Sequence, residues 1–140
     1  MIVRHRDALL HNLIANDPSV RPTFGYHEGY TDLTPLVDLP ETYVLLSNGK
    51  NCASIWEWSA PDVWQGHSIF LPEARGRVGI DAGRAMCRYM FDEIGAKMLW
   101  GMTPLAHRPA QLFNRLLGFK EAGTGVDAAD VDVRYFVLER

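Results

Sequence analysis

The stretch from Thr42 to Ser59 reads TYVLLSNGKNCASIWEWS, and it constrains the fold more than any other. Asn48-Gly49-Lys50 separates two runs rich in β-branched, aliphatic and aromatic residues. Asn-Gly accepts the positive φ of a tight hairpin turn, so the two runs are expected to pair as antiparallel strands. In the returning strand Ser54, Trp56 and Trp58 point to one side, and Ala53, Ile55 and Glu57 to the other. Ala60-Pro61-Asp62 turns the chain again, and VWQGHSIFL from Val63 to Leu71 reads as a third strand. The three form an antiparallel meander, which must be covered by other elements to bury its apolar side chains.

Those elements follow. A helix is predicted from about Gly79 to Gly95, with Ala82, Ala85, Met86, Tyr89, Met90 and Ile94 at helical spacing and Gly95 as its C-cap. KMLWGMT is a strand, Pro104 to Pro109 a break, and PAQLFNRLLG a second amphipathic helix closed by Gly118. FKEAGT and VRYFVLE form a last strand pair. A strand–helix–strand unit inside an otherwise antiparallel sheet gives an α+β, mixed α/β architecture. Upstream, Arg6 to Asn16 reads as a short helix with Leu9, Leu10, Leu13 and Ile14 on one face, ended by Asp17-Pro18-Ser19. The stretch from Val20 to Glu41 is rich in Pro, Gly and aromatic residues and too long for a simple connector. It is expected to be partly ordered, with its tyrosines packed on a core or lining a site.

With 140 residues the chain is expected to be one domain, residues 1–41 forming a divergent N-terminal helix and loop and residues 42–140 the core. A net charge of −3 disfavours broad electrostatic binding to nucleic acid. Cys52 and Cys87 show no metal or redox spacing and read as reduced, half-buried thiols of a cytoplasmic protein. The first 17 residues carry only short apolar runs broken by Arg, His and Asn, so neither a signal peptide nor a membrane span is expected. The histidines are scattered, which leaves no metal site in view. No P-loop, G-x-S-x-G elbow or H-E-x-x-H pair occurs.

One segment asks for a ligand. In FLPEARGRVGIDAGRAMCRYMF, from Phe70 to Phe91, Arg75, Gly76, Arg77 and Gly79 lie at the entrance to the helix, and Arg84 lies one turn in. A helix start offers free backbone N–H groups and partial positive charge, and so attracts anions. A phosphate-bearing ligand is one reading of the segment; a Gly-rich loop with a solvated basic patch is the other.

The order of hairpin, strand, Gly/Arg loop, helix, strand, helix ending in Gly-Phe and final hairpin resembles the GNAT superfamily of N-acetyltransferases. The likeness spans roughly Thr42 to Arg140. Two stretches carry it: IFLPEARGRVGIDAGRAMCRYMF, and HRPAQLFNRLLGFKEAG with His107, Ala110, Leu117, Gly118, Phe119 and Gly123 at the family's spacing. The resemblance implies a mostly antiparallel central sheet, a parallel strand pair splayed at an acetyl-CoA site, and helices on both faces. It implies that free backbone groups of Ile69, Phe70 and Leu71 pair with the pantetheine arm. The loop Arg75, Gly76, Arg77, Val78, Gly79 and Ile80 would wrap the pyrophosphate through its N–H groups. His107, Phe113 and Asn114 fall beside the same ligand.

The chain departs from the family at two places. The family loop runs Gln/Arg-x-x-Gly-x-Gly/Ala. With Gly76 as first glycine, Glu73 and Val78 occupy the flanking places; with Gly79, Gly76 and Asp81 do. Neither register satisfies the pattern, and a β-branched Val78 would resist positive φ. The general-acid tyrosine of many members is Asn114 here, which donates hydrogen bonds but yields no useful proton.

The implied reaction is direct attack of an unidentified amine, from a small molecule or a protein, on the acetyl-CoA thioester. The backbone N–H near Leu71 would polarise the carbonyl. Glu57, placed between Trp56 and Trp58, is a candidate base, since apolar neighbours raise a carboxylate's pKa; its other reading is a strand-end carboxylate facing solvent. His67 on the next strand is a second candidate, or else a hydrogen-bonded structural histidine. Trp56, Trp58 and Trp64 read as sheet packing before acceptor pocket. The alternative function is a GNAT-fold protein without catalysis, its cleft filled by Val78 or a bulky side chain. That chain would act in binding or assembly, with a second copy of itself or, by a looser likeness to short phage proteins, a phage head-assembly component as partner.

Overall fold

The computed structural model describes residues 1–24 and 29–140. Seven strands form one sheet in the order β1-β2-β3-β4-β5-β7-β6. They are β1 (Val3–Arg4), β2 (Tyr43–Ser47), β3 (Cys52–Ala60), β4 (Val63–Phe70), β5 (Met98–Pro104), β6 (Lys120–Val126) and β7 (Asp132–Glu139). The meander β2-β3-β4 is antiparallel, as the hairpin chemistry requires, and Gly49 takes a φ of 80° at its turn. β4 and β5 pair in parallel, and every other neighbouring pair is antiparallel.

Helices cover both faces. On one face α1 (Leu9–Ala15), with the short helices α2 (Arg21–Phe24) and α3 (Thr34–Val37) following it, belongs to a core made by Ile14, Ala15, Val20, Leu33, Leu45, Ala53, Ile55 and Ile69. On the other, α4 (Arg77–Tyr89) sets Ala82, Met86 and Cys87 against Val44, Leu46, Trp56, Trp64, Leu99 and Phe136. Between β5 and β6 lies α5 (Arg108–Leu116). The two faces follow from the period-2 alternation in β3, with Ala53 and Ile55 on one and Trp56 on the other.

Several expectations are corrected. The two-residue strand β1 pairs Val3 with Ser47 and is too short to read from sequence. The buried face of α1 is His11, Ile14 and Ala15, whereas Leu9 and Leu13 are 78% and 66% exposed. Asn12 and Asn16 decide that rotation. Asn12 Oδ1 accepts from the Leu33 N–H at 2.7 Å, and Asn16 Oδ1 accepts from the Thr31 N–H at 2.7 Å. The tyrosine expectation fails for Tyr30, which is exposed, and Tyr26 lies outside the described residues. Cys52 and Cys87 are free but fully buried, and burial pushes their thiols up to about 11 and about 12.

α4 begins at Arg77, two residues before the periodicity suggested. Gly76 takes φ 97° and ψ −138°, a backbone state open only to glycine, and the chain is helical directly after it. At the other end α4 runs into a π-helical turn, Met90–Ile94, and Gly95 closes it in the left-handed region at φ 86°.

Candidate active site

The site is built on the place where the sheet opens. β4 and β5 pair only over Val63↔Met98, Trp64↔Leu99 and Gln65↔Trp100. β4 then continues to Phe70 and β5 to Pro104 without pairing to each other. Gly66 sits at the point of divergence. The Trp56 ring lies over it, so close that a Cβ there would fall 2.6 Å from the ring.

Which backbone groups face the opening is set by a hydrogen bond on the far side of β4. The Leu71 N–H donates to the Asn51 carbonyl at 3.0 Å. In an antiparallel ladder alternate residues turn their N–H and C=O to the same neighbour. Leu71, Ile69 and His67 therefore commit theirs to β3, and Phe70 and Ser68 turn theirs toward the gap. This corrects the expectation for Leu71, whose N–H is not free to polarise a carbonyl, and for the backbone of Ile69. Ser68, which the sequence reading missed, faces the gap with Phe70. No local signal marks it, because the phase of β4 depends on a partner across the hairpin.

A groove of about 830 Å³ runs through this opening. Of the residues singled out in the sequence, Glu57, His67, Ile69, Phe70, Arg75, Gly76, Gly79, His107, Phe113 and Asn114 line it. Leu71, Arg77, Val78 and Ile80 do not. Val78 lies in the first turn of α4, 51% exposed and with negative φ, so it neither strains the loop nor fills the cleft. Among the described residues, neither Val78 nor another side chain fills the cleft at this opening.

At one end of the groove stands the start of α4. The first intrahelical hydrogen bond runs from the Ile80 N–H to the Gly76 carbonyl at 3.0 Å, which leaves the N–H groups of Arg77, Val78 and Gly79 without helical acceptors. Gly79 has no room for a side chain: a Cβ would meet the Ala74 carbonyl at 2.7 Å and the Phe70 ring at 3.0 Å. The three arginines divide their work. Arg75 donates to the Ser19 carbonyl at 3.2 Å, Arg77 pairs with Asp81 at 3.3 Å on the surface, and Arg84 caps α5 at the Leu116 carbonyl at 2.9 Å. Among them Arg75 alone lines the groove.

The α5 side forms one wall. Phe113 stands edge-on to Phe70, with ring centroids 5.4 Å apart and planes at 87°. His107 is the N-cap residue of α5. Gln111, buried, donates Nε2 to the carbonyls of Pro104 and Leu105 at 3.2 and 2.8 Å and so holds the β5–α5 corner. Thr103 Oγ1 is buried in this wall with no hydrogen-bond partner among the described residues.

The opposite face carries the titratable pair. Glu57 stands opposite Gln65 and His67 opposite Ile55, which makes Glu57 and His67 diagonal neighbours on one face of β3 and β4. Trp56 and Trp58 point to the other face, as the strand alternation in the sequence requires, so the apolar flank expected to raise the Glu57 pKa is not formed by them. Trp56 and Trp64 are core residues, while Trp58 is exposed. The surrounding protein lowers the His67 pKa by desolvation, and the nearby Glu57 charge opposes the shift. The His67 side chain is nonetheless exposed at the groove. No group of three or more His, Cys, Asp or Glu among the described residues is arranged to hold a metal ion, and no helix among them is long and apolar enough to cross a membrane.

No family model matches the chain, and no curated protein matches it by sequence. Solved structures do match it. The aminoglycoside acetyltransferase AAC(6')-Ib, in complex with paromomycin and acetyl-CoA, superimposes with a TM-score of 0.81 at 14% identity, over 100% of this chain and 93% of that one. A variant of the spermidine N-acetyltransferase SpeG from Vibrio cholerae gives 0.75 at 15% identity, over 99% and 94%. An acetyltransferase of the GNAT family from Bacillus anthracis gives 0.58 at 13% identity, over 69% and 64%. Seven strands in this order, one parallel pair splayed at a groove, and helices on both faces give the chain the GNAT acetyltransferase fold.

Proposed function

We propose that this protein is an acetyl-CoA-dependent N-acetyltransferase. The observation that carries the reading is the parted β4–β5 pair, whose free backbone edge at Ser68 and Phe70 opens into a groove ending at the first turn of α4. Structural neighbours of this fold are described with acetyl-CoA or coenzyme A bound.

The residues fit such a cosubstrate. The unpaired N–H groups of Arg77, Val78 and Gly79, with Arg75 beside them, suit a pyrophosphate. The strand edge at Ser68 and Phe70 suits an amide-bearing arm, and Thr103 Oγ1 is a buried polar atom in want of a partner. Acetyl-CoA supplies the activated acetyl group, and the amine attacks it directly. In its neutral form His67 accepts a proton that the amine loses, directly or through one water, with Glu57 holding the positive charge that develops. The N–H facing the gap, on Phe70 and not on Leu71, would polarise an acyl oxygen. Asn114 donates a hydrogen bond to the departing thiolate but does not protonate it, so solvent completes that step.

The test is release of free thiol from acetyl-CoA in the presence of amines. Amine-dependent release in the wild type, reduced about 100-fold in kcat by His67→Gln, is the expected result for loss of a general base. Thiol release that no amine accelerates contradicts the reading.

A further inference from the structure

On the Glu57 side, the groove has a composition that speaks to the acceptor. Its floor is the sheet face bearing Tyr43, Ile55, Glu57 and His67, and Met102 of β5 borders it. Its roof is Val20, Leu33 and Leu36, from the segment between α1 and β2. That roof is held in place, because Asn12 and Asn16 hydrogen-bond the backbone at Thr31 and Leu33. Among the described lining residues Glu57 is the one carboxylate, and the one cation, Arg75, belongs to the α4 end.

From this arrangement we infer that the acceptor is a primary monoamine with an apolar body, its ammonium set on Glu57 and its body between the Leu33–Leu36 roof and Tyr43. The inference rests on the transferase reading above. The physical ground is charge matching. Each further ammonium of a polyamine or aminoglycoside would be desolvated against Leu33, Leu36 or Met102 with no second carboxylate among the described lining residues to meet it, and an unpaired charge in apolar surroundings is strongly unfavourable. A monoamine leaves no such charge, and its body removes apolar groove surface from water. Glu57 would then set specificity by binding the ammonium; His67 would take one proton from that nitrogen to free its lone pair for attack, and the second, lost as the amide forms, would leave through solvent, which also protonates the departing thiolate.

The test titrates amines into the protein saturated with coenzyme A, which has no acetyl group to transfer, and follows binding by calorimetry. The probes are 2-phenylethylamine, spermidine and kanamycin, with 2-phenylethanol as the uncharged control. The expected result is that 2-phenylethylamine binds at least ten-fold tighter than spermidine or kanamycin. Glu57→Gln should weaken that binding at least ten-fold and leave 2-phenylethanol unaffected, whereas Leu36→Asp should narrow the preference over spermidine. Tighter binding of spermidine or kanamycin, no binding of 2-phenylethylamine, or its unchanged binding to Glu57→Gln overturns the inference. The preceding titration with coenzyme A separates the two claims. If coenzyme A does not bind, the transferase reading fails, and the same amine titrations on the free protein decide only which amine class the groove binds.

Discussion

The Leu71 N–H donates to the Asn51 carbonyl at 3.0 Å, and that bond sets the phase of β4. It commits the backbone of Leu71, Ile69 and His67 to β3 and directs Ser68 and Phe70 to the groove. Proline substitution separates the two sets, because proline removes one N–H and is tolerated where that N–H has no strand partner. Ser68→Pro should fold and lose most of the stabilisation by acetyl-CoA. Ile69→Pro should break the β3–β4 ladder and lower stability by about 3 kcal/mol or more. Thermal melts of both variants with and without acetyl-CoA check the pairing.

Gly76 offers a cleaner test of backbone strain. Nothing lies within 4 Å of a Cβ added there, so Gly76→Ala meets no clash. The whole effect comes from forcing φ 97° and ψ −138° on an L-residue, which costs about 1–3 kcal/mol. Urea denaturation should show that loss with an unchanged m-value, and the variant should also bind acetyl-CoA more weakly.

Gly66 is constrained by packing instead. A Cβ there falls 2.6 Å from the Trp56 ring, and Trp56 is held by a 2.8 Å hydrogen bond from Nε1 to Ser54 Oγ. Gly66→Ala should destabilise by about 1–3 kcal/mol through overpacking. Combined with Trp56→Leu, it should cost less than the sum of the two single changes, since the ring that clashes is gone. A double-mutant cycle by chemical denaturation measures the coupling.

His11 should make stability depend on pH. It is fully buried, with Nε2 3.0 Å from the Leu46 carbonyl and 3.1 Å from that of Ser54, and with Nδ1 unpartnered among the described residues. Desolvation pushes its pKa down to about 4 against the backbone hydrogen bonds, and the His5 ring, 5.2 Å away, adds to the shift. The unfolded chain binds this proton near pH 6.5 and the folded one near 4. Stability from this group is therefore complete above pH 6.5 and falls as the pH drops to 4, by roughly 3 kcal/mol. Denaturation midpoints across that window should flatten in His11→Leu.

Where local chemistry decides, the sequence was readable. Asn48-Gly49 gave the hairpin, Gly95 the end of the long helix, and Gly118, with φ 98°, the end of α5. Part of the groove could also be named, since Arg75, Gly76 and Gly79 advertise a helix start and Glu57 and His67 follow from strand alternation. What escaped depends on distant partners. Leu9 and Leu13 look like the buried face of α1, yet Asn12 and Asn16 bind the segment 31–33 and turn His11 onto the sheet. Val78 looks like an obstacle in a loop, yet Gly76 absorbs the irregular backbone and leaves Val78 helical. Leu71 looks like the free strand end until Asn51 is seen to hold its N–H.

The most direct measurement is a thermal melt with and without acetyl-CoA, on the wild type and on Gly76→Asp, which sets a carboxylate at the entrance to α4. At about 100 times its dissociation constant the ligand should add roughly 2.7 kcal/mol. A clear rise in Tm for the wild type, abolished in Gly76→Asp, is the result expected if the groove at the parted strands holds the cosubstrate. No rise at saturating acetyl-CoA, or an equal rise in both proteins, contradicts it.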